Sequence, residues 1–172
     1  KGCGTIPWLR SRNVTIEPVP NRAWRQADGA IAIARSGTEA LILGDLRAGS
    51  TLCVDLETAI DAFDAGAYVV PRYDGMFWFL LTGTYAAACL AKLCGVDVRP
   101  QTFGDGAVAQ TLVASTSAVV TRMDLGSTVA YHVLGDSASA EFLWDVLIDA
   151  MREFDGSLVG IAAVRELEDG FE

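Results

Sequence analysis

The sequence predicts an α+β fold in which small antiparallel sheets, built from strand-helix units, carry helices packed on them. Three observations lead there. Met76 to Thr82, MFWFLLT, is apolar on both alternating faces and reads as a strand buried on both sides. Gly83 breaks it, and residues 85–94 form an alanine-rich stretch of high helix propensity, followed by Gly95 where a left-handed cap is expected. Further on, three short strand-like segments stand in succession, and a long amphipathic helix follows them.

The chain's 172 residues are enough for one domain or for two small lobes sharing a core, burying roughly 70% of the unfolded surface. Apolar residues make up 51% and charged residues 20%, a balance that favours a packed core over disorder. The formal charge is -9, and the 13 Lys and Arg are scattered, so a nucleic-acid backbone is not an expected partner. Cys3, Cys53, Cys89 and Cys94 lack C-x-x-C spacing and, with one histidine, offer no zinc set. They read as small buried thiols. No run reaches the ~18 apolar residues of a membrane span, and the first residues lack the basic-then-apolar order of a signal peptide, so no membrane is expected and the expected compartment is the cytoplasm.

Taken in order, residues 1–28 hold Pro7, Pro18 and Pro20 with Trp8 and Trp24 as isolated anchors. They read as an extended N-terminal arm with one strand at 13–17, of the kind that lies across a partner or a sheet edge. Residues 29–156 form the main α+β domain, divisible into lobes at about 29–66 and 67–156, and 157–172 are a C-terminal segment. Asp28-Gly29 turns the chain, and 30–35 and 39–44 make a hairpin about Ser36-Gly37-Thr38. Residues 44–51, GDLRAGST, lack the lysine a phosphate loop needs. Residues 55–65 suit a helix with Leu56, Ile60 and Phe63 on one face, and 68–71 begin a strand that Tyr73-Asp74-Gly75 turns into Met76.

Beyond Pro100, segments 107–114, 118–122 and 128–134 read as a meander, with Asp124-Leu125-Gly126-Ser127 as the last turn. His132 alternates within the third strand, which suits a structural, hydrogen-bonded histidine better than a catalytic base. Asp136 or Ser137 caps a helix over 138–154 that ends before Gly156. Its apolar residues, from Leu143 to Phe154, cover an arc of about 200°, wider than the ~100° that packing on one sheet requires. Trp144 and Ile148, one turn apart, lie nearest the acidic side of Glu141, Asp145 and Asp149, at the edge of an interface. Either a partner or the apolar segment 157–167 of the same chain covers them. No nucleophile elbow, H-E-x-x-H or G-x-G-x-x-G between strand and helix is present, and no catalytic residue is assigned.

Three blocks carry a family likeness: Leu90-Ala-Lys-Leu-Cys-Gly-Val-Asp97, the segment from Phe103 to Leu112, and Phe142-Leu-Trp-Asp-Val-Leu-Ile-Asp-Ala150. In this order the chain from about 67 to 154 resembles the gamma subunit of heterotetrameric sarcosine oxidase, a relative of the folate-binding T-protein of the glycine cleavage system. The resemblance implies the T-protein type of fold and a small partner with no chemistry of its own. It implies that larger alpha and beta subunits are the partners, and that flavins, NAD and tetrahydrofolate are bound there and not by this chain. The complex would oxidise and demethylate a secondary amine. Interface residues would be Trp144, Ile148, Trp8 and Trp24. Where folate-handling relatives carry Asp-x-Ser, this chain has Pro71-Arg72-Tyr73, so their catalytic aspartate does not carry over. Two alternatives stand beside this reading: a stand-alone folate-binding protein, with Asp74 as the nearest acid to the family position, and a free-standing oligomer joined through the Trp144 helix.

Overall fold

A computed structural model describes residues 1–47, 49–60 and 66–169. The chain is α+β and divides into two compact units, Lys1–Pro71 and Arg72–Glu172, each with its own small antiparallel sheet.

In the first unit, helix α1 (Thr5–Ser11) leads to strands β1 (Arg22–Arg25), β2 (Ile31–Ser36) and β3 (Glu39–Leu43), which pair in the order β1-β2-β3, and helix α2 (Leu52–Ala59) follows. The hairpin of β2 and β3 lies where the alternation of Ile31 and Ile33 places it. The extended arm does not hold: its start is a helix. Pro7 sits in the first turn of α1, where a backbone N–H has no intrahelical acceptor to lose, so the proline is tolerated. Residues 13–17 form no strand: Asn13 turns the chain with a positive φ of 61°, and 14–17 pair with no ladder. Thr15 instead gives its N–H to Gln26 Oε1 at 2.8 Å and accepts from Gln26 Nε2 at 2.9 Å, so a side-chain amide takes the place of a neighbouring strand. Val14 and Ile16 are thereby held in a core with Ile6, Leu9, Ala32, Ala34 and Leu56. Helix α2 starts three residues earlier than its apolar spacing suggests, and Phe63 lies outside the described residues. Residues 68–71 form no strand; Tyr68 bonds the chain start through Lys1 instead.

In the second unit the strands are β4 (Met76–Thr82), β5 (Val108–Val113), β6 (Thr116–Arg122) and β7 (Ala130–Asp136), paired β4-β7-β6-β5. The meander of β5, β6 and β7 is as the turn signals predict. Strand β4 is an edge strand, with β7 its ladder partner. Nor is it buried on both sides: only Phe77 and Leu81, on one face, are buried, and Met76, Trp78 and Leu80 on the other face stay partly exposed, because continuous apolarity shows neither how fully each face is covered nor whether both edges are paired. Between β4 and β5 lies helix α3 (Ala86–Ala91), shorter than its alanine run. Gly95 does not adopt the left-handed cap expected of it. Cys94, just before it, bridges to Val113, and Ala114 N–H bonds Leu93 carbonyl at 2.8 Å, so the sheet edge satisfies the helix end.

Residues Phe77, Leu81, Val113, Ala118, Val120, Tyr131 and Val133 of the sheet pack with Ala86, Cys89 and Leu90 of α3 and with Leu143, Leu147 and Ala150 of helix α4 (Ala140–Arg152). Asp136 caps the 3-10 turn Ser137–Ser139 that precedes α4, accepting from Ala138 N–H at 2.9 Å. Gly135 of β7 is opposite Phe77; a Cβ there would stand 2.5 Å from the Phe77 ring, so only glycine lets the ring lie across the strand. Helix α5 (Ile161–Asp169) begins directly after Gly160, and its Leu167 carbonyl lies against Gly126 of the hairpin between β6 and β7.

The β5-β6 turn has no glycine or asparagine, yet Ala114 and Ser115 both take positive φ, 47° and 64°. Two-residue hairpins favour this left-handed geometry, which L-residues other than Gly, Asn and Asp adopt at a cost. Ser115→Gly is expected to raise stability by about 0.5–1 kcal/mol, seen as a higher thermal midpoint; an unchanged or lower midpoint would contradict the strain.

The Tyr131 hydroxyl donates to the Val98 carbonyl at 2.5 Å inside this core. Burial, the largest cause, pushes its pKa above the usual phenol value, against a smaller opposing pull from Arg122. A raised folded value means that the contribution is complete below about pH 10, the unfolded value, and is lost as pH rises through the folded one. Tyr131→Phe should therefore flatten the fall of urea midpoint above pH 10 and cost about 1 kcal/mol at neutral pH. Equal alkaline slopes for the two proteins would refute the assignment.

Candidate functional site

The candidate site is the aromatic margin where helix α4 lies against edge strand β4. Phe77 and Phe79 project to the same face of β4, and their rings stack at 4.6 Å and 19°. The Trp144 indole lies 5.4 Å from Phe79 at 58°, a tilted contact that uses the ring edge against the neighbouring face. Phe77 is buried and Trp144 is 42% exposed, so the row runs from the core to the surface. Ile148, one turn after Trp144, is partly buried.

Burial along α4 agrees with the arc derived from its sequence. Leu143, Leu147 and Ala150 point into the core, and Trp144 and Ile148 flank them on one side. Of the two coverings considered for this flank, the C-terminal segment is excluded as a cap on Trp144. Helix α5 lies at the β6-β7 hairpin, and Trp144 keeps its exposure with that helix in place. Leu158, Val159 and Ile161 are themselves exposed.

At the far end of α4, Tyr85 and Phe154 stack at 5.5 Å and 16°, with the Lys92 ammonium 5.7 Å from the Phe154 centroid. Lys92 also bonds the Ala150 carbonyl and Glu153, and the Glu153 bond holds its pKa above the usual lysine value. These contacts fix the helix against α3, so the Trp144 margin is presented on a braced element. Phe142, on the opposite flank of α4, and Tyr85 are more exposed than Trp144. The apolar arc of α4 leaves out Phe142 because it stands outside the continuous stripe, and Tyr85 lies on another element, at the cap of α3; the rank of exposed aromatics is a tertiary property.

Trp8 and Trp24 belong to the first unit. Both are partly buried and pack on the cluster of Ile6, Leu9 and Leu56, and the Arg12 guanidinium lies 5.8 Å from the Trp8 ring. Much of each indole is thus engaged within its own unit. Asp74 is exposed in the turn before β4.

His132 is structural, as its place in the strand predicts. It is fully buried, and its Nδ1 accepts the Trp78 indole N–H at 2.9 Å. An acceptor at Nδ1 places the ring proton on Nε2, which faces the Met123 carbonyl at 3.4 Å. Both nitrogens are engaged inside the fold. The four cysteines are free thiols; Cys89 and Cys94 are buried and Cys53 partly so, but Cys3 is exposed, contrary to the reading of all four as buried. Burial raises the thiol pKa of Cys53 and Cys89, which disfavours the reactive thiolate. Among the described residues no group of three His, Cys, Asp or Glu is placed to hold a metal ion, and no helix is long and apolar enough to cross a membrane.

No protein-family model matches the sequence, and no curated protein matches it. Solved structures do. The fold is shared with a chain of the heterotetrameric sarcosine oxidase from Corynebacterium sp. U-96, solved in complex with pyrrole 2-carboxylate. The TM-score is 0.74 and the identity 21%, over 92% of this chain and 77% of that one. The two shares make the matched chain only modestly longer than this one. At that identity the likeness establishes the fold, and the α+β arrangement of two small antiparallel sheets with helices is the arrangement the sequence predicts.

Proposed function

We propose that this chain is a small, non-catalytic subunit of a multi-subunit, flavin-dependent complex that demethylates a secondary amine, the counterpart of the sarcosine oxidase gamma subunit. The observation that carries the reading is the likeness over nearly the whole chain to one chain of a heterotetrameric oxidase. The three sequence blocks support the same assignment, and each falls in the second unit: on α3 and its exit, on β5 with its approach, and on α4.

In this reading the chain binds and braces, and larger alpha and beta subunits perform the oxidation with flavins, NAD and tetrahydrofolate. The histidine is consumed by structure, bonded at Nδ1 and facing a carbonyl at Nε2. What the chain offers is a rigid helix with an aromatic margin, the arrangement that interfaces use for their anchors because Trp and Tyr supply large contact area at low entropic cost. The cytoplasm is the proposed compartment.

The test is co-expression of this chain with the flavin-containing amine oxidase subunits of its source. The reading predicts one species containing this chain and flavin, with oxidation of an N-methylated amino acid. A chain that elutes alone, and whose tryptophan fluorescence is quenched saturably by micromolar tetrahydrofolate, would replace it with the folate-binding alternative.

A further inference from the structure

Helix α4 and its C-cap residue carry Glu141, Asp145, Asp149 and Glu153, each four residues after the last, and so one above another on a single face. Like charges at that spacing destabilise a helix. The last two are neutralised within the chain, Asp149 by Arg152 at 3.2 Å and Glu153 by Lys92 at 2.8 Å. Glu141 and Asp145 are exposed and have no ion pair among the described residues. They stand beside the apolar pair: Glu141 is three residues before Trp144, and Asp145 three before Ile148. The four side chains make one patch, with two apolar anchors on one side and two uncompensated carboxylates on the other.

We infer that this patch docks on a partner surface with an apolar recess for Trp144, bordered by Lys or Arg side chains facing Glu141 and Asp145. The inference rests on the reading of the chain as a subunit and specifies the chemistry of the surface it meets. The charge distribution favours a basic partner. Residues 72–172 hold 14 of the 22 acids and 6 of the 13 basic residues, so the unit carrying the patch is strongly acidic as a whole. A second copy fits poorly. In a two-fold contact the same acidic patch meets itself, which sets the carboxylates of one copy against the like-charged patch of the other with no cation of the patch to offset them. Opposite charge on the partner also relieves the repulsion that the free helix bears, and rim charges of this kind govern the rate of association and its salt dependence.

The test uses the complex of this chain with its larger subunits and the variant Glu141→Gln/Asp145→Asn. The variant retains side-chain shape, and its thermal midpoint alone should be unchanged or slightly higher because a like-charge pair is removed. Association with the larger subunits is expected to slow about tenfold at low salt, with a weaker dependence on ionic strength than the unaltered chain shows. If the complex forms and both rate and salt dependence are unchanged, the basic surface is refuted while the subunit reading stands. If the variant self-associates more tightly than the original, the patch belongs to a second copy. If no complex forms with the unaltered chain, the subunit reading fails and this inference falls with it.

Discussion

Arg122→Ala is expected to lower the unfolding free energy by about 3–5 kcal/mol, the loss typical of breaking a largely buried ion pair. The guanidinium bonds Asp124 through Nε at 2.9 Å and Nη2 at 2.6 Å, a two-pronged fit, and Nη1 donates to the Pro100 and Phe103 carbonyls. One side chain thus ties the 100–106 loop to the end of β6. The pair is 11% and 20% exposed, so solvent screens it weakly. Alanine removes the cation facing Asp124 and the donor to two carbonyls at once. Arg122→Lys should recover only part of the loss, because an ammonium cannot reproduce the planar fork. Urea unfolding of the three proteins decides this: a loss below 1 kcal/mol for alanine, or full recovery with lysine, would show that the loop is held by other contacts.

The second large effect is on association. In the proposed complex, Trp144→Ala with Ile148→Ala is expected to weaken docking of the larger subunits by about thirtyfold or more, in the range of anchor residues worth about 2 kcal/mol or above. The fold should survive, since Trp144 is partly exposed and the core positions of α4 are Leu143, Leu147 and Ala150. Leu143→Ala serves as the contrast. Leu143 is fully buried, and its truncation should cost about 2–5 kcal/mol of stability with docking lost only as folding is lost. Equal affinity for the double variant and the original would remove this flank of α4 from the interface.

Periodicity made much of the fold legible. Alternating residues gave the β2-β3 hairpin and the β5-β6-β7 meander, and the arc on α4 gave both its buried side and its half-exposed margin. The misses share a physical cause, that side-chain and tertiary bonds substitute for the local signals a sequence displays. Gln26 stands in for a strand beside Thr15, so the segment there joins no ladder. Pro7 is harmless in a first turn, so its presence did not forbid α1. The turn at Ala114 and Ser115 is imposed by the pairing of β5 and β6 against residue preference. The ring contact between Phe79 and Trp144 joins positions far apart in the chain, and only the fold brings them together.

Whether this chain works inside a larger flavoenzyme, as proposed, is decided by the native mass of the protein isolated gently from its source cells, with an absorbance scan of the same fraction. A subunit of such a complex elutes at a mass several times the chain's 18.3 kDa, together with yellow flavin absorbance. A colourless monomer or homodimer would contradict the proposal.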